Sequence, residues 1–234
     1  MQPELQPIRT GATTASRDYA VRENQVLRNT YWLLAISLIP TAIGAAIGTN
    51  IDMSFMRASP MLSFFAILAI FYGWIYAIER NRNSTLGVGL LLGFTLFMGL
   101  LLGPLLQQVL GFKNGVQLVM MATGGTAAVF FGLAGLASST KRDFSFLSKF
   151  LFVGFIVIML AVVANVFLAS PVLQLTVLGG IILFSSAAIL WQVNTIVRGG
   201  ETNYVSATLT LYVSIYNLFS SLLQLLGIFG GNRD

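Results

Sequence analysis

The sequence contains neither cysteine nor histidine among its 234 residues. Without cysteine the chain cannot form a disulfide, a thiolate nucleophile or a cysteine-based metal site. Without histidine it lacks the commonest general base, the commonest metal ligand and the usual switch near neutral pH. These two absences exclude intramembrane proteases of the Ser-His type and zinc proteases that carry a His-Glu-x-x-His motif.

Charged residues are also scarce. They make up 9% of the chain and hydrophobic residues 56%, whereas a soluble protein has roughly 25% charged residues. Something other than water must therefore solvate the surface, and a lipid bilayer is the ordinary candidate. The net charge of +5 is typical of basic cytoplasmic loops, so the sequence predicts no nucleic-acid partner.

Charge-free runs divide the chain into seven predicted membrane spans. Five runs fit one helix each of about 20 residues, the length that crosses a hydrocarbon core. The run over residues 150–197 is long enough for two helices, and Ala169, Ser170 and Pro171 interrupt it where proline favours a turn. The predicted fold class is an all-α polytopic membrane protein with spans at 30–49, 60–78, 86–107, 116–138, 147–168, 172–195 and 205–228.

The basic residues are distributed unequally between the two sides of this topology. Ten of the thirteen lie in the N-terminal segment and in the three loops on the same side, against three on the other side. Because cytoplasmic segments collect Lys and Arg, the N-terminus is predicted in the cytoplasm and the C-terminus outside it. Residues 1–28 are polar and poor in aromatics, which predicts a disordered cytoplasmic tail before a transmembrane domain over 29–230.

Small residues recur at helix-packing intervals in spans 3 and 4. Such positions let helices approach closely inside a membrane, and we expect this role for Gly89, Gly93, Gly99 and Gly103 in span 3 and for Gly124, Ala128 and Gly132 in span 4.

Polar residues lie on two sides of span 7. One stripe consists of Thr210, Ser214, Asn217, Ser221 and Gln224, and Tyr212, Tyr216 and Ser220 follow the opposite side. Because unpaired polar groups are costly in lipid, this span is predicted at the centre of the bundle. In span 6, Ser185 and Gln192 share a face that could meet the stripe, and Asn165 in span 5 is a further candidate partner. These groups either line a polar path or form interhelical hydrogen bonds.

The sequence also lacks the residues that other membrane-embedded active sites require. No span contains a lysine that could hold retinal, and the four aspartates lie in loops or tails, which excludes an intramembrane aspartyl protease. The sequence therefore predicts no enzyme, no catalytic residue, no cofactor and no metal site.

Four stretches carry a family resemblance, namely 99–106, 122–131, 199–204 and 207–219. Together they resemble the Bax inhibitor 1 (transmembrane BAX inhibitor motif) family, and most closely its proteobacterial branch with YccA-type modulators of the FtsH protease. The resemblance covers roughly residues 25–230. It implies a seven-helix bundle with the last helix central, a place in the cell inner membrane with a periplasmic C-terminus, and FtsH as a protein partner.

The resemblance also implies a calcium leak site, which this sequence does not reproduce. The family gates that site with an aspartate pair on helices 6 and 7, and the matching positions here hold Gln192 and Ser214. Neither side chain titrates near neutral pH, and a hard divalent cation favours carboxylate oxygens. The favoured function is modulation of FtsH in membrane protein quality control. The alternative is a leak channel for a monovalent ion or small solute along Gln192, Ser214 and Asn217.

Overall fold

Seven long helices account for almost all of the regular structure in a computed structural model of the chain. It describes residues 11–52, 59–140 and 142–232, with side chains from residue 25 onwards. In chain order the helices are α1 (Gly11–Gly48), α2 (Pro60–Arg80), α3 (Thr85–Leu110), α4 (Gly115–Ser139), α5 (Leu147–Leu168), α6 (Pro171–Val197) and α7 (Tyr204–Gly230).

All seven predicted spans are confirmed as helices long and apolar enough to cross a membrane. Within α1 the apolar segment is Gln25–Gly48, and in the other six it occupies the whole helix. The six helices after α1 are 21 to 27 residues long. This length suits a hydrocarbon core about 30 Å thick that the helices cross with some tilt.

The structure differs from the predicted disordered tail over part of its length. Residues 1–10 of that tail lie outside the described residues, but α1 already begins at Gly11. The segment 11–28 contains no proline, and adding turns to an established membrane helix avoids the cost of a new helix nucleus. The predicted boundary at residue 28 therefore falls inside a helix.

The turn between α5 and α6 forms where the sequence predicts it. Ala169 ends α5 in the left-handed conformation, with φ of 46°. The Ser170 hydroxyl then accepts a hydrogen bond from the backbone N–H of Leu173, and Pro171 occupies the first turn of α6. Proline suits this position because the N–H it lacks would have no partner inside the helix.

The seventh helix lies at the centre of the bundle, as the sequence predicts. It packs against α1, α2, α3, α4 and α6, whereas the main packing of α5 is on α6. No residue of α5 is buried, but eleven residues of α7 are. The core therefore surrounds α7, and α5 is a peripheral helix.

Close packing of α1 on α3 depends on four glycines. A Cβ added to Gly44 or Gly48 of α1, or to Gly99 or Gly103 of α3, would come within 3.0 Å of backbone atoms in the facing helix. This confirms the predicted packing role of Gly99 and Gly103 in span 3.

The other predicted small-residue positions divide between packed and unpacked ones. Gly93 faces the ring of Trp74, but Gly89 has open space around it. In α4, Gly124 and Gly132 also meet nothing within 4 Å, and Ala128 is exposed. The predicted packing role of Gly124, Ala128 and Gly132 is therefore wrong within this chain, because these residues lie on the outside of the bundle.

Loops at both ends hold the helices in register. At one end, the Asn203 side-chain amide donates to the Arg82 carbonyl and to Asn83, which joins the α6–α7 loop to the α2–α3 loop. At the other end, Asn114 donates to the Gly230 carbonyl and fixes the end of α7 beside the start of α4.

Candidate functional site: the polar centre and a lateral cleft

The hydroxyl groups of α7 are satisfied mostly by their own helix. Ser214 donates to the Thr210 carbonyl at 2.8 Å, and Thr210 donates to the Ser206 carbonyl at 3.1 Å. Both are bonds to the carbonyl four residues earlier, which let a hydroxyl stay in an apolar environment without a partner on another helix. These two members of the stripe therefore do not depend on α6 for a hydrogen bond.

Gln192 of α6 is also buried. Only 3% of its surface is exposed, and Ser185, two turns earlier, is fully buried. The Ser185 hydroxyl has no hydrogen-bond partner in the described part of the chain. Because α6 packs extensively on α7, the buried polar face of α6 and the polar stripe of α7 belong to the same interior.

Asn217 and Asn165, the other candidate residues, are less buried than Gln192 and Ser214. Asn217 is only half-buried. Asn165 accepts a hydrogen bond from the backbone N–H of Ser170, so it stabilises the α5–α6 turn instead of meeting α7. The expectation for Asn165 as a partner of the stripe is therefore wrong, since its side chain bonds to the turn and the main packing of α5 is on α6.

Tyr212 connects three helices at the centre of the bundle. Its hydroxyl lies 2.8 Å from the hydroxyl of Thr41 on α1 and 3.3 Å from the Thr95 carbonyl on α3, and it donates its single proton to one of these two oxygens. Its ring is 1% exposed and packs edge-on against Phe94, with centroids 6.1 Å apart. Sequence reasoning placed Tyr212 on a polar face but missed Thr41. The signal was available, because Ser37 and Thr41 lie four residues apart on one face of an otherwise apolar span.

Tyr212 also forms part of the floor of a lateral cleft of about 830 Å³. α1 and α4 stand on either side of it, each packed on α3, α6 and α7. The walls are mainly apolar and include Ala35, Leu38, Ala42, Val119 and Phe131. Leu38 and Phe131 are 47% and 71% exposed, so the cleft opens to the outside of the bundle between the two helices. Gln192, Ser214 and Asn217 do not line this cleft.

At one end of the cleft an aromatic contact joins α1 to α4. The Tyr31 ring meets the edge of Phe130 with centroids 6.1 Å apart, and the Tyr31 hydroxyl interacts with Ser138 near the end of α4. Thr41 and Thr126, further along, keep their hydroxyls bonded to carbonyls of their own helices. The cleft thus offers an apolar surface with few unsatisfied polar groups.

Polar groups also cluster at the loop end of the bundle nearest Tyr31. Ser206 donates to the Glu79 carboxylate at 2.9 Å, and Arg82 forms an ion pair with the same carboxylate at 3.4 Å. This agrees with the position of Glu79 at the end of a span, where headgroups and water screen its charge.

The α4–α5 loop at this end is held by a second polar cluster. Hydrogen bonds from Ser145 lower the pKa of the Asp143 carboxyl below its usual value, and Arg198 adds a smaller favourable charge. The side chain of Asn194, near the end of α6, binds the backbone of Arg142 and of Phe144. The loop is therefore fixed to the end of α6.

Comparisons with known proteins cover nearly the whole chain. The model of the family described as "Inhibitor of apoptosis-promoting Bax1" (Bax1-I) matches residues 23–231. An uncharacterized protein of Neisseria meningitidis serogroup A is 48% identical over 210 residues, which are 89% of this chain and 92% of that protein. The Escherichia coli K12 protein named Modulator of FtsH protease YccA is 40% identical over 223 residues, 95% of this chain and 98% of its own. The chain therefore belongs to the Bax1-I family.

Proposed function

We propose that this chain is an inner-membrane partner of the ATP-dependent protease FtsH and modulates it in membrane protein quality control. The observation that carries the proposal is the 40% identity to the YccA modulator over 98% of that protein. A related Escherichia coli protein bears the name Inner membrane protein YccA at the same identity, which supports the location. The role is one of binding and not of catalysis.

The proposed orientation places the N-terminus in the cytoplasm and the C-terminus in the periplasm. Within the described residues, Arg28, Arg80, Arg82, Arg142 and Arg198 belong to the segments of the proposed cytoplasmic end, which fits the bias of basic residues. The basic residues Arg9, Arg57, Lys141 and Arg233 lie outside the described residues. In this orientation the chain before Gln25 is available to a cytoplasmic protease.

Cysteine accessibility tests the orientation directly, because the chain has no native cysteine to remove. Thr202→Cys labels the exposed α6–α7 loop, and Lys113→Cys labels the exposed α3–α4 loop. In intact cells an impermeant maleimide is expected to modify the Lys113→Cys variant and to leave the Thr202→Cys variant unmodified. The reverse pattern would refute the proposed orientation.

Co-purification with a proteolytically inactive FtsH tests the partnership. Solubilised membranes containing the tagged chain should yield FtsH well above the amount recovered with an unrelated seven-span protein of similar expression. A chain without residues 1–24 distinguishes attachment through the N-terminal segment from attachment through the membrane domain. Recovery of FtsH no higher than with the unrelated protein would contradict the proposal.

A leak pathway for a monovalent ion or small solute is the second candidate function. The observation that favours it is the fully buried, unpartnered hydroxyl of Ser185 in the same helix as Gln192, because such groups commonly indicate water or an ion. Flux into liposomes measured at pH 5–8 tests it, with Gln192→Asp as the variant and Gln174→Asp, at an exposed site of the same helix, as its control. Flux equal to that of empty vesicles, unchanged by Gln192→Asp, would exclude the pathway.

A further inference from the structure

The size of the lateral cleft limits what can occupy it. Its α1 wall runs from Tyr31 to Ala45, and a helix of this length spans about 22 Å. A cleft volume of about 830 Å³ is ordinary for a single small ligand or chain.

The chemistry of the walls selects an apolar occupant. Alanine and leucine side chains form most of the α1 wall, together with Tyr31 and Thr41, and the floor consists of Tyr212, Ile215, Tyr216 and Phe219 of α7. The cleft opens sideways between α1 and α4 in a stretch of helix that is long and apolar enough to lie in the bilayer. The molecules present at high concentration outside that opening are lipids, whose acyl chains match the apolar walls.

A positive charge lies at one end of the cleft. Arg28, Tyr31, Ala35, Leu38 and Ala42 follow one another at intervals of three and four residues, so they share one face of α1. The last four line the cleft, and Arg28 is exposed one turn before them. Tyrosine and arginine in this order are typical of a membrane interface, with the charge at the level of the lipid headgroups.

We propose that the cleft between α1 and α4 binds an acyl chain of an anionic phospholipid, whose headgroup lies at Arg28. The chain fills the apolar space along Ala35, Leu38 and Ala42. The phosphate accepts hydrogen bonds from the guanidinium, a group whose geometry suits phosphate oxygens. This site is separate from the buried polar face at Gln192 and does not depend on the partnership with FtsH.

Native mass spectrometry of the protein released from nanodiscs tests the site. The nanodiscs contain equal amounts of phosphatidylglycerol and phosphatidylethanolamine. The unaltered protein should keep one phospholipid under conditions that remove loosely held lipid. Ala35→Trp fills the cleft and should lose the bound lipid, and Ala42→Leu, a milder filling, should reduce it. Ala69→Trp places the same side chain on an exposed face of α2 and should keep the lipid.

The role of Arg28 is tested in the same nanodiscs. One basic residue near an anionic headgroup changes lipid affinity about fivefold, so Arg28→Gln should lower the ratio of bound phosphatidylglycerol to phosphatidylethanolamine by about that factor. Arg80→Gln removes an exposed arginine of α2 at the same end of the bundle and should leave the ratio unchanged.

Three results would overturn the proposal. Retention of the lipid by both Ala35→Trp and Ala42→Leu, in protein that remains helical by circular dichroism, would place the lipid outside the cleft. An unchanged lipid ratio in Arg28→Gln would contradict the anionic headgroup. Release of a peptide instead of a phospholipid from the unaltered protein would assign the cleft to a protein partner and also refute it.

Discussion

Replacing Gly99 by alanine should loosen the contact between α1 and α3. The added Cβ would come within 3.0 Å of the Thr41 carbonyl and of the Ala45 nitrogen, so α1 must move away from α3. Crowding of this kind typically costs about 1–3 kcal/mol. The movement also stretches the 2.8 Å contact between the Thr41 and Tyr212 hydroxyls, and loss of that hydrogen bond adds about 0.5–1.5 kcal/mol. We therefore expect the free energy of unfolding to fall by about 2–4 kcal/mol.

The matched control for this change is Gly89→Ala in the same helix. A Cβ at Gly89 meets nothing within 4 Å, so this variant should be neutral or more stable by up to about 1 kcal/mol, since alanine favours the helix. Unfolding in mixed micelles with increasing dodecyl sulfate, followed by tryptophan fluorescence, measures both variants. Equal midpoints for Gly99→Ala and Gly89→Ala would refute the reasoning that close backbone approach holds α1 on α3.

Three further predictions concern side chains. Tyr212→Phe removes the hydrogen bond of a buried hydroxyl and should lower the unfolding free energy by about 0.5–1.5 kcal/mol, whereas Tyr216→Phe, in the same micelle assay, should change it by less than half as much. Ser206→Ala removes the hydrogen bond that a buried hydroxyl donates to the Glu79 carboxylate, so it should lower the unfolding free energy by about 1–3 kcal/mol; an unchanged value would show that this bond does not stabilise the fold. The carboxyl of Asp143 has a lower pKa in the folded protein than in the unfolded protein. Its contribution to stability is therefore complete above the unfolded-state pKa and is lost as the pH falls through the folded-state pKa. Melting temperatures measured from pH 8 down to 3 should therefore differ between Asp143→Asn and the unaltered protein by a constant amount above pH 5 and should converge only in acid.

The sequence predicts the spans well because each depends on one strong physical requirement. A helix that crosses lipid must be apolar along about 20 residues, and loops must place charge outside, so charge-free runs give the element bounds almost directly. The central position of α7 follows from polar residues on two of its sides, which lipid does not tolerate. By contrast, the start of α1 at Gly11 depends on local helix propensity, for which polar composition is a poor guide.

The candidate site is less well predicted because composition does not specify which way a face points. Gly99 and Gly124 look alike in sequence, but one packs against α1 and the other meets open space. Ser214 lies where the sequence places it, yet its hydroxyl is satisfied by its own helix, a choice that spacing cannot reveal. The cleft is formed by small residues on α1 that look like ordinary lipid-facing positions until α4 is placed opposite them.

The position of α7 also has a consequence for how the chain is made. The helix on which five others pack is synthesised after all six of the other helices, because it follows them in the chain. Until it enters the membrane, α1 has no Tyr212 hydroxyl for Thr41 to bind, and the first six helices enclose no central partner. A chain that stops before Tyr204 therefore contains the first six spans but cannot assemble the bundle.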